Sequence, residues 1–348
     1  MNRTVLLVGI ADIEVGLTAS YKRAFEFLGF KVVPFNLDAE RAGVAPLGRI
    51  GQRLMGHLDF FALNAKANRR LVRAAMEIKP AVIIVICTAF VRAATLLQIK
   101  VSLPATKVIN IFPDTLFNLH DYVLTALPLY DLFCTHTKAG VPYLRQLGCR
   151  NPLYLPLAAD TFLHYPVKLS ISDRETFGCD LVYVGNWRPE HEQLFAALEG
   201  FDLAIWGSSY WGRNTRKDGW VRSRWRGREL VTGSDYAKAH LVARAGLNPI
   251  DPLNFPSHNQ RVFELPACGA FSLVSRTEEV DELFREGETI VCFEGVEELV
   301  DKVRYYLAHP TERERIAQRA YEHVVQGGHT YVDRVRTILD ELGVGLDK

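Results

Sequence analysis

The chain has 348 residues, 48% of them hydrophobic and 23% charged, which supports a folded protein with a sizeable core and excludes a disordered chain of low hydrophobicity and high charge. At this length two domains are expected. Forty-one Lys plus Arg balance forty Asp plus Glu for a formal charge of +1, so no bulk field draws the chain to nucleic acid or to an anionic bilayer.

The first apolar run, residues 5–10, is too short for a membrane span and lacks a signal peptide's long apolar core, so it reads as a buried strand. The pattern then predicts a helix over 18–28, a stop at Gly29 and a strand over 31–34. A second helix, 65–78, ends at Pro80, and 81–87 follows as a strand apolar on both faces. The run 81–90 is about half the ~20 residues that a spanning helix needs and meets Arg92, which makes it core rather than anchor. Strands 108–112, 132–135 and 153–155 continue the series, with a helix over 139–147. Continuous apolar strands between helices mean a parallel sheet covered on both sides.

Residues 156–177 loosen into Pro, Asp, Ser and Thr, and a new alternation starts at 180–185. Strands 201–206, 245–248, 270–274 and 290–293 follow, with helices 190–198, 260–267, 296–308 and 312–325. Two doubly wound α/β domains with a hinge near 158–178 are expected, with ligands at the carboxyl ends of the strands, facing the cleft between domains. A last helix, 329–343, is expected to cross back and brace the first domain. Cys87, Cys134, Cys149, Cys179, Cys268 and Cys292 include no CxxC pair, which fits reduced, buried thiols better than disulfides or a zinc site. These features together predict a cytoplasmic protein without an integral membrane segment.

The segment Asn254–Ser275, NFPSHNQRVFELPACGAFSLVS, is the most informative. A helix from about Gln260 puts Arg261, Glu264 and Leu265 at i, i+3 and i+4, and Gly269 ends it. Glu264 has two readings: an acceptor for the vicinal hydroxyls of a ribose, or an ion-pair partner of Arg261. Gly185, Asn186 and Arg188 follow the first strand of the second half. Exposed N–H groups and a guanidinium there suit a pyrophosphate, unless Arg188 merely pairs with Glu190 or Glu192. Between positions 213 and 228 stand Arg213, Arg216, Lys217, Arg222, Arg224, Arg226 and Arg228 against Asp218, with Trp206, Tyr210, Trp211, Trp220 and Trp225 interleaved. That stretch reads as a local site for a diphosphate or an anionic acceptor, or as a solvated loop. Tyr236 follows, either beside a ligand or as a core aromatic.

In the first half the polar residues after strands are candidates for ligand binding. Gly9, Asp12, Gly16 and Thr18 follow the first strand, and Asp114, Asn118, His120 and Asp121 follow 108–112. His136, Thr137 and Lys138 follow 132–135. Histidine exchanges protons near neutral pH and an Asp orients its ring, so Asp114, His120 and His136 are the catalytic candidates; as strand-end groups they equally suit helix capping.

Five pieces form an ordered series over about 180–339: DLVYVGNWRPEHEQLF, SDYAKAHLVARAGLN, SHNQRVFELPACGAFSLVS, the long run from ELFREGETIVCFEG to RAYEHVV, and GGHTYVDRV. This series resembles the CgeB-like glycosyltransferases, relatives of the GT-B enzymes that use nucleotide sugars. The resemblance implies an α/β protein of GT-B fold, two Rossmann-like domains facing across a cleft. Residues 1–165 would form the acceptor-binding domain, 178–328 the nucleotide-sugar-binding domain and 329–348 the returning helix. It implies that Glu264 binds the nucleotide ribose, that Ala267, Cys268 and Gly269 let its helix pack closely, and that Gly185, Asn186, Arg188, Tyr236 and Arg261 complete the donor site. The first half is similar only in its general alternation.

The implied activity is transfer of a sugar from a UDP, GDP or dTDP conjugate to a small-molecule, glycan or protein acceptor, with retention at the anomeric carbon. No metal or other cofactor is expected, because no DxD pair or metal-spaced His/Cys cluster occurs; nor is a nucleic-acid partner. Retaining GT-B enzymes also carry an acidic residue eight positions before this Glu, where the present chain has Pro256, so the donor sugar is not carried over. The alternatives are a two-domain nucleotide-sugar epimerase and a noncatalytic nucleotide-binding protein of a cell-surface or spore pathway. A nicotinamide dehydrogenase is disfavoured, since GIADIEVG lacks the G-x-G-x-x-G turn.

Overall fold

Short apolar runs form the strands of the first sheet: β1 (Thr4–Val8), β2 (Lys31–Phe35), β3 (Val82–Ile86), β4 (Lys107–Phe112), β5 (Leu132–Thr135) and β6 (Pro152–Tyr154). The computed structural model describes residues 3–9, 15–37, 61–86, 90–217, 219–227 and 231–344; Ile10, Asp12, Cys87, Asp218 and Arg228 lie outside them. The strands pair in parallel in the order β2-β1-β3-β4-β5-β6. β3, with the sequence VIIVI, is buried at every position, as a parallel strand covered on both faces must be.

The accompanying helices are α1 (Leu17–Phe27), α2 (Phe61–Ile78), α3 (Ala93–Ser102), α4 (Asp121–Ala126) and α5 (Gly140–Gln146). α1 buries Tyr21, Ala24 and Phe25, one stripe at i, i+3 and i+4. The turn after it is made by Gly29 at φ +81°, a left-handed conformation that glycine takes without a Cβ clash. Leu6, Val8, Leu71, Ile83, Val85 and Phe133 lie in one core cluster, and full burial of each such side chain stabilises by about 1.5–3 kcal/mol.

The second sheet contains β7 (Leu181–Val184), β8 (Leu203–Trp206), β9 (Trp225–Gly227), β10 (Ala245–Asn248), β11 (Ser272–Ser275) and β12 (Val291–Phe293). All pairs are parallel, in the order β12-β11-β10-β7-β8-β9. Its helices are α6 (Ile171–Phe177), α7 (Pro189–Ala196), α8 (Tyr210–Asn214), α9 (Trp220–Ser223), α10 (Ser234–Val242), α11 (Arg261–Ala267), α12 (Glu278–Leu283), α13 (Gly295–Ala308) and α14 (Pro310–Gln326), and α15 (Tyr331–Glu341) ends the series. Leu181, Tyr183, Leu203 and Ile205 join one core cluster with Phe195 and Trp211, whereas Val182, Val184 and Ala204 join another with Tyr236, Leu265 and Cys268. That split is the period-two alternation of a strand. β7, first in sequence, has β8 on one side and β10 on the other, so the strand order reverses at β7.

Two compact units result: Met1–Pro156 with Arg334–Lys348, and Leu157–Asp333. The division falls at Pro156 rather than at 165 or within a hinge over 158–178. The reason is packing: Leu157 and Ala159 belong to a core cluster with Ile250, Val262 and Phe263, and the Leu157 N–H donates to His258 Nε2 at 3.1 Å. The expected loose linker also contains α6, started by a capping box in which Ser170 and Asp173 bond each other's backbone N–H. Asp173 additionally meets Lys238 of α10 at 3.1 Å. α15 begins at Tyr331 and so carries the chain from the second unit into the first. The described cysteines are free thiols, four of them buried. Among the described residues no helix is long and apolar enough to cross a membrane.

Candidate functional site

In an open α/β sheet, ligands bind outside the carboxyl ends of the strands where the strand order reverses. In the second unit that place lies between the ends of β7 and β10. A pocket opens there, lined among others by Tyr183, Asn186, Arg188, Asp251, Arg261 and Glu264.

On the β7 side, the Tyr183 hydroxyl donates to the Asn186 carbonyl oxygen at 3.1 Å and lies 3.1 Å from His191 Nδ1. His191 Nε2 is buried without a partner, which assigns the ring proton to Nδ1 and makes a chain from His191 through Tyr183 to Asn186. Burial, reinforced by Arg261, pushes the His191 pKa down to about 4, so the ring is neutral at physiological pH. Gly185 is held on both sides: its N–H donates to Trp206 O at 2.9 Å and its carbonyl accepts from Trp211 Nε1 at 2.9 Å. A Cβ at Gly185 would come within 2.5 Å of the Tyr183 hydroxyl and 2.6 Å of Arg261 Nη2. Arg188 precedes α7, and its Nε donates to Asp251 Oδ2 at 2.8 Å with the side chain 53% exposed.

On the other side, β10 ends in Asn248, which exchanges two amide hydrogen bonds with Asn259 at 2.8 and 3.0 Å. Arg261, at the start of α11, donates from Nη1 to Asn248 Oδ1 at 3.3 Å and places its guanidinium over the Tyr183 ring, 5.2 Å from the centroid. Glu264, one turn on, does not pair with Arg261. Its Oε2 accepts from the Tyr236 hydroxyl at 3.4 Å, and its Oε1 lies 4.0 Å from His164 Nε2. Burial and the Glu264 carboxylate push the Tyr236 pKa well above the ordinary phenol range, so Tyr236 stays a donor.

Asn186, Arg188, Arg261 and Glu264 therefore line one pocket, with Tyr236 against Glu264 and Gly185 beneath Arg261. A phosphate-binding role for the Gly185 N–H is corrected, because that group continues the sheet ladder to Trp206. The alternative pairing of Arg188 with Glu190 or Glu192 is not formed: its partner is Asp251, while Glu192 accepts from Trp187 Nε1 at 2.8 Å. The basic stretch lies off the pocket. Arg213 covers the Tyr210 ring, Arg224 the Trp220 ring, Arg222 bonds the Gly212 carbonyl, and Arg226 bonds Gly178 O and faces Asp202, so local contacts occupy these guanidinium groups. Sequence reasoning missed Tyr183, Asn248, Asp251, Asn259 and His164. Asn248 and Asp251 carried an available signal, since they stand at and just after a strand end.

The three proton-handling candidates sit in the first unit. Asp114 engages its oxygens locally, accepting from the Thr115 N–H at 2.7 Å and the Asn118 side-chain amide at 2.9 Å. His120 is exposed at the start of α4, and His136 is buried after β5. Among the described residues no group of three or more His, Cys, Asp or Glu side chains is arranged to hold a metal ion.

Residues 179–340 match a family described as Glycosyl transferase-like. Among curated proteins, the spore protein CgeB of Bacillus subtilis (strain 168) is 22% identical over 223 residues, 59% of this chain and 66% of that protein, so the match spans just under two thirds of the relative. Among solved structures, Anabaena Alr3699/HepE in complex with UDP and glucose has a TM-score of 0.65 at 15% identity, covering 98% of this chain and 99% of that one. A UDP-N-acetylglucosamine 2-epimerase has a TM-score of 0.56 at 13% identity, covering 99% and 97%. The two six-stranded parallel sheets are those of the GT-B fold.

Proposed function

We propose, for a chain that belongs with the CgeB-like proteins of GT-B glycosyltransferase type, that the pocket of the second unit binds a nucleotide sugar and that the protein transfers its sugar to an acceptor. Glu264 accepts hydrogen bonds from the ribose hydroxyls, and Arg188 and Arg261 face the diphosphate. The observation that carries this reading is Arg261. Its guanidinium lines the pocket with a neutral amide, Asn248, as hydrogen-bond partner and with no carboxylate ion pair among the described residues. The Glu264 carboxylate of the same helix favours the Arg261 charge without pairing with it, and a diphosphate adds counter-charge with oxygens that match the guanidinium fork. The likeness to HepE, solved in complex with UDP and glucose, supports a nucleotide ligand.

In the reaction, the bond between the anomeric carbon and the β-phosphate oxygen breaks and its electron pair leaves on the diphosphate. An acceptor oxygen or nitrogen bonds the anomeric carbon and gives up its proton. Arg188 and Arg261 stabilise the charge that develops on the leaving group, the task a divalent ion performs elsewhere, so metal-independent transfer is the reading we adopt, with retention as the resemblance to retaining GT-B enzymes implies. Acceptor binding falls to the first unit, where His120 is the exposed proton-handling group and His136 the buried one.

The epimerase likeness favours one second reading, conversion of the donor sugar with no acceptor. A thermal-shift panel of UDP, GDP, ADP and dTDP with their sugar conjugates tests the binding. A ligand at a hundred times its Kd stabilises the fold by about 2.7 kcal/mol. Release of nucleoside diphosphate from the stabilising conjugate identifies a transferase, and isomerised sugar still attached to nucleotide identifies an epimerase. Stabilisation without turnover leaves a binder, and a panel with no stabilising nucleotide overturns the proposal.

A further inference from the structure

Glu264 has a polar ring on each of two sides, one hydrogen-bonded to it and one close by. Tyr236, on α10, donates its hydroxyl to Oε2 at 3.4 Å, and His164, ahead of α6, brings Nε2 to 4.0 Å from Oε1. The two rings pack on each other with centroids 5.4 Å apart, and His240 backs Tyr236 at 4.6 Å. His164 is fixed through its backbone, its N–H donating to Asp160 O at 2.7 Å. Its Nδ1 is buried without a hydrogen-bond partner. A proton on Nδ1 would be a buried donor lacking an acceptor, whereas Nε2 has a carboxylate oxygen 4.0 Å away, which favours an N–H at Nε2.

Each carboxylate oxygen has two acceptor sites, so the Tyr236 hydrogen bond and the nearby His164 Nε2 bias the plane of the group while leaving an acceptor site on each oxygen for a ligand. Two acceptors side by side match two adjacent hydroxyls. Packing alone does not call for these polar atoms, because phenylalanine at 164 or 236 would supply the same ring contact. The phenol oxygen and the imidazole Nε2 add direction.

From this geometry we propose that His164 and Tyr236 are positioning residues that aim the Glu264 carboxylate at a ribose 2′,3′-diol. The site thereby selects ribonucleoside over 2′-deoxyribonucleoside diphosphates, which puts UDP and GDP conjugates ahead of dTDP conjugates as donors. The proposal rests on the ribose role given to Glu264 above.

Calorimetric titration of the full chain with UDP and GDP, each against its 2′-deoxy counterpart, tests it. The wild type binds the better ribonucleotide roughly tenfold tighter than the deoxy form, the value of one hydrogen bond to a charged group. Glu264→Ala, Tyr236→Phe and His164→Phe each bring the two affinities together. His164→Gln, which keeps an N–H donor near the Nε2 position but not the ring, retains the preference; a packing role predicts the opposite order for the two His164 variants. A preference that is lost in Glu264→Ala but survives in both phenylalanine variants overturns the positioning role and leaves the ribose role standing. A preference that survives in Glu264→Ala, or a wild type with none, overturns both.

Discussion

Arg188 and Asp251 join the two loops that leave the switch point: Arg188 Nε donates to Asp251 Oδ2 at 2.8 Å, from just beyond β7 to just beyond β10. Asp251 Oδ1 accepts the Leu253 N–H at 3.0 Å, so the carboxylate is itself fixed. The pair presets a half-exposed guanidinium at the pocket while engaging only its Nε. Replacing Arg188 with Ala is expected to weaken UDP binding roughly tenfold and to leave uridine binding nearly unchanged, because the lost contacts are to phosphate. Calorimetry with both ligands measures the split, and equal losses for the two would remove Arg188 from the phosphate role. Because an exposed ion pair contributes at most about 1 kcal/mol, the melting temperature is expected to change little.

Gly185→Ala places a methyl group against the Tyr183 hydroxyl and Arg261 Nη2, both held in a packed wall. Overpacking of this kind costs about 1–3 kcal/mol. A lowered thermal midpoint together with weakened UDP binding is expected. A variant as stable and as tight as wild type would show that Arg261 yields without consequence.

His191 and His240 set an acid limit. Burial pushes His191 down to about 4 and His240 down to about 3, from about 6.5 in the unfolded chain. Folded values below the unfolded ones mean that the stability is fully present above about pH 6.5 and is lost as the pH falls toward 4, by up to about 1.4 kcal/mol per pH unit for each ring. His240→Leu removes one such group, and both its ring nitrogens are buried without partners. The variant is expected to melt at or above the wild-type temperature at pH 7.5 and to fall less steeply between pH 6.5 and 4.5. Parallel curves for the two proteins would remove His240 as a contributor.

Much of the fold is legible because its strands are buried on both faces: runs such as VIIVI and LVYV carry no helical period and are bounded by glycine or proline. α6 was hidden by its own start signal, since Ser170 and Asp173 add to a Pro, Ser and Thr composition that reads as a linker while forming a capping box. β9 is a three-residue edge strand inside a basic, aromatic stretch, so its pairing with β8 has no local signature. The same division runs through the site. Arg261 and Glu264 share one short helix and were visible from spacing, yet their relation was not: Glu264 finds Tyr236 and His164, and Arg261 finds Asn248 and Tyr183, all brought in by the sheet order. Arg188 illustrates the limit of local reading, because its partner is 63 residues away while nearby Glu192 is taken by Trp187.

The most direct test is the affinity of Glu264→Ala for UDP beside that of the wild type, by calorimetry at one pH and salt concentration. The account predicts a loss of tenfold or more with the thermal midpoint of the unliganded protein within a few degrees of wild type, since the substitution removes acceptors from a pocket wall rather than packing from the core. Equal affinity in the two proteins would contradict it.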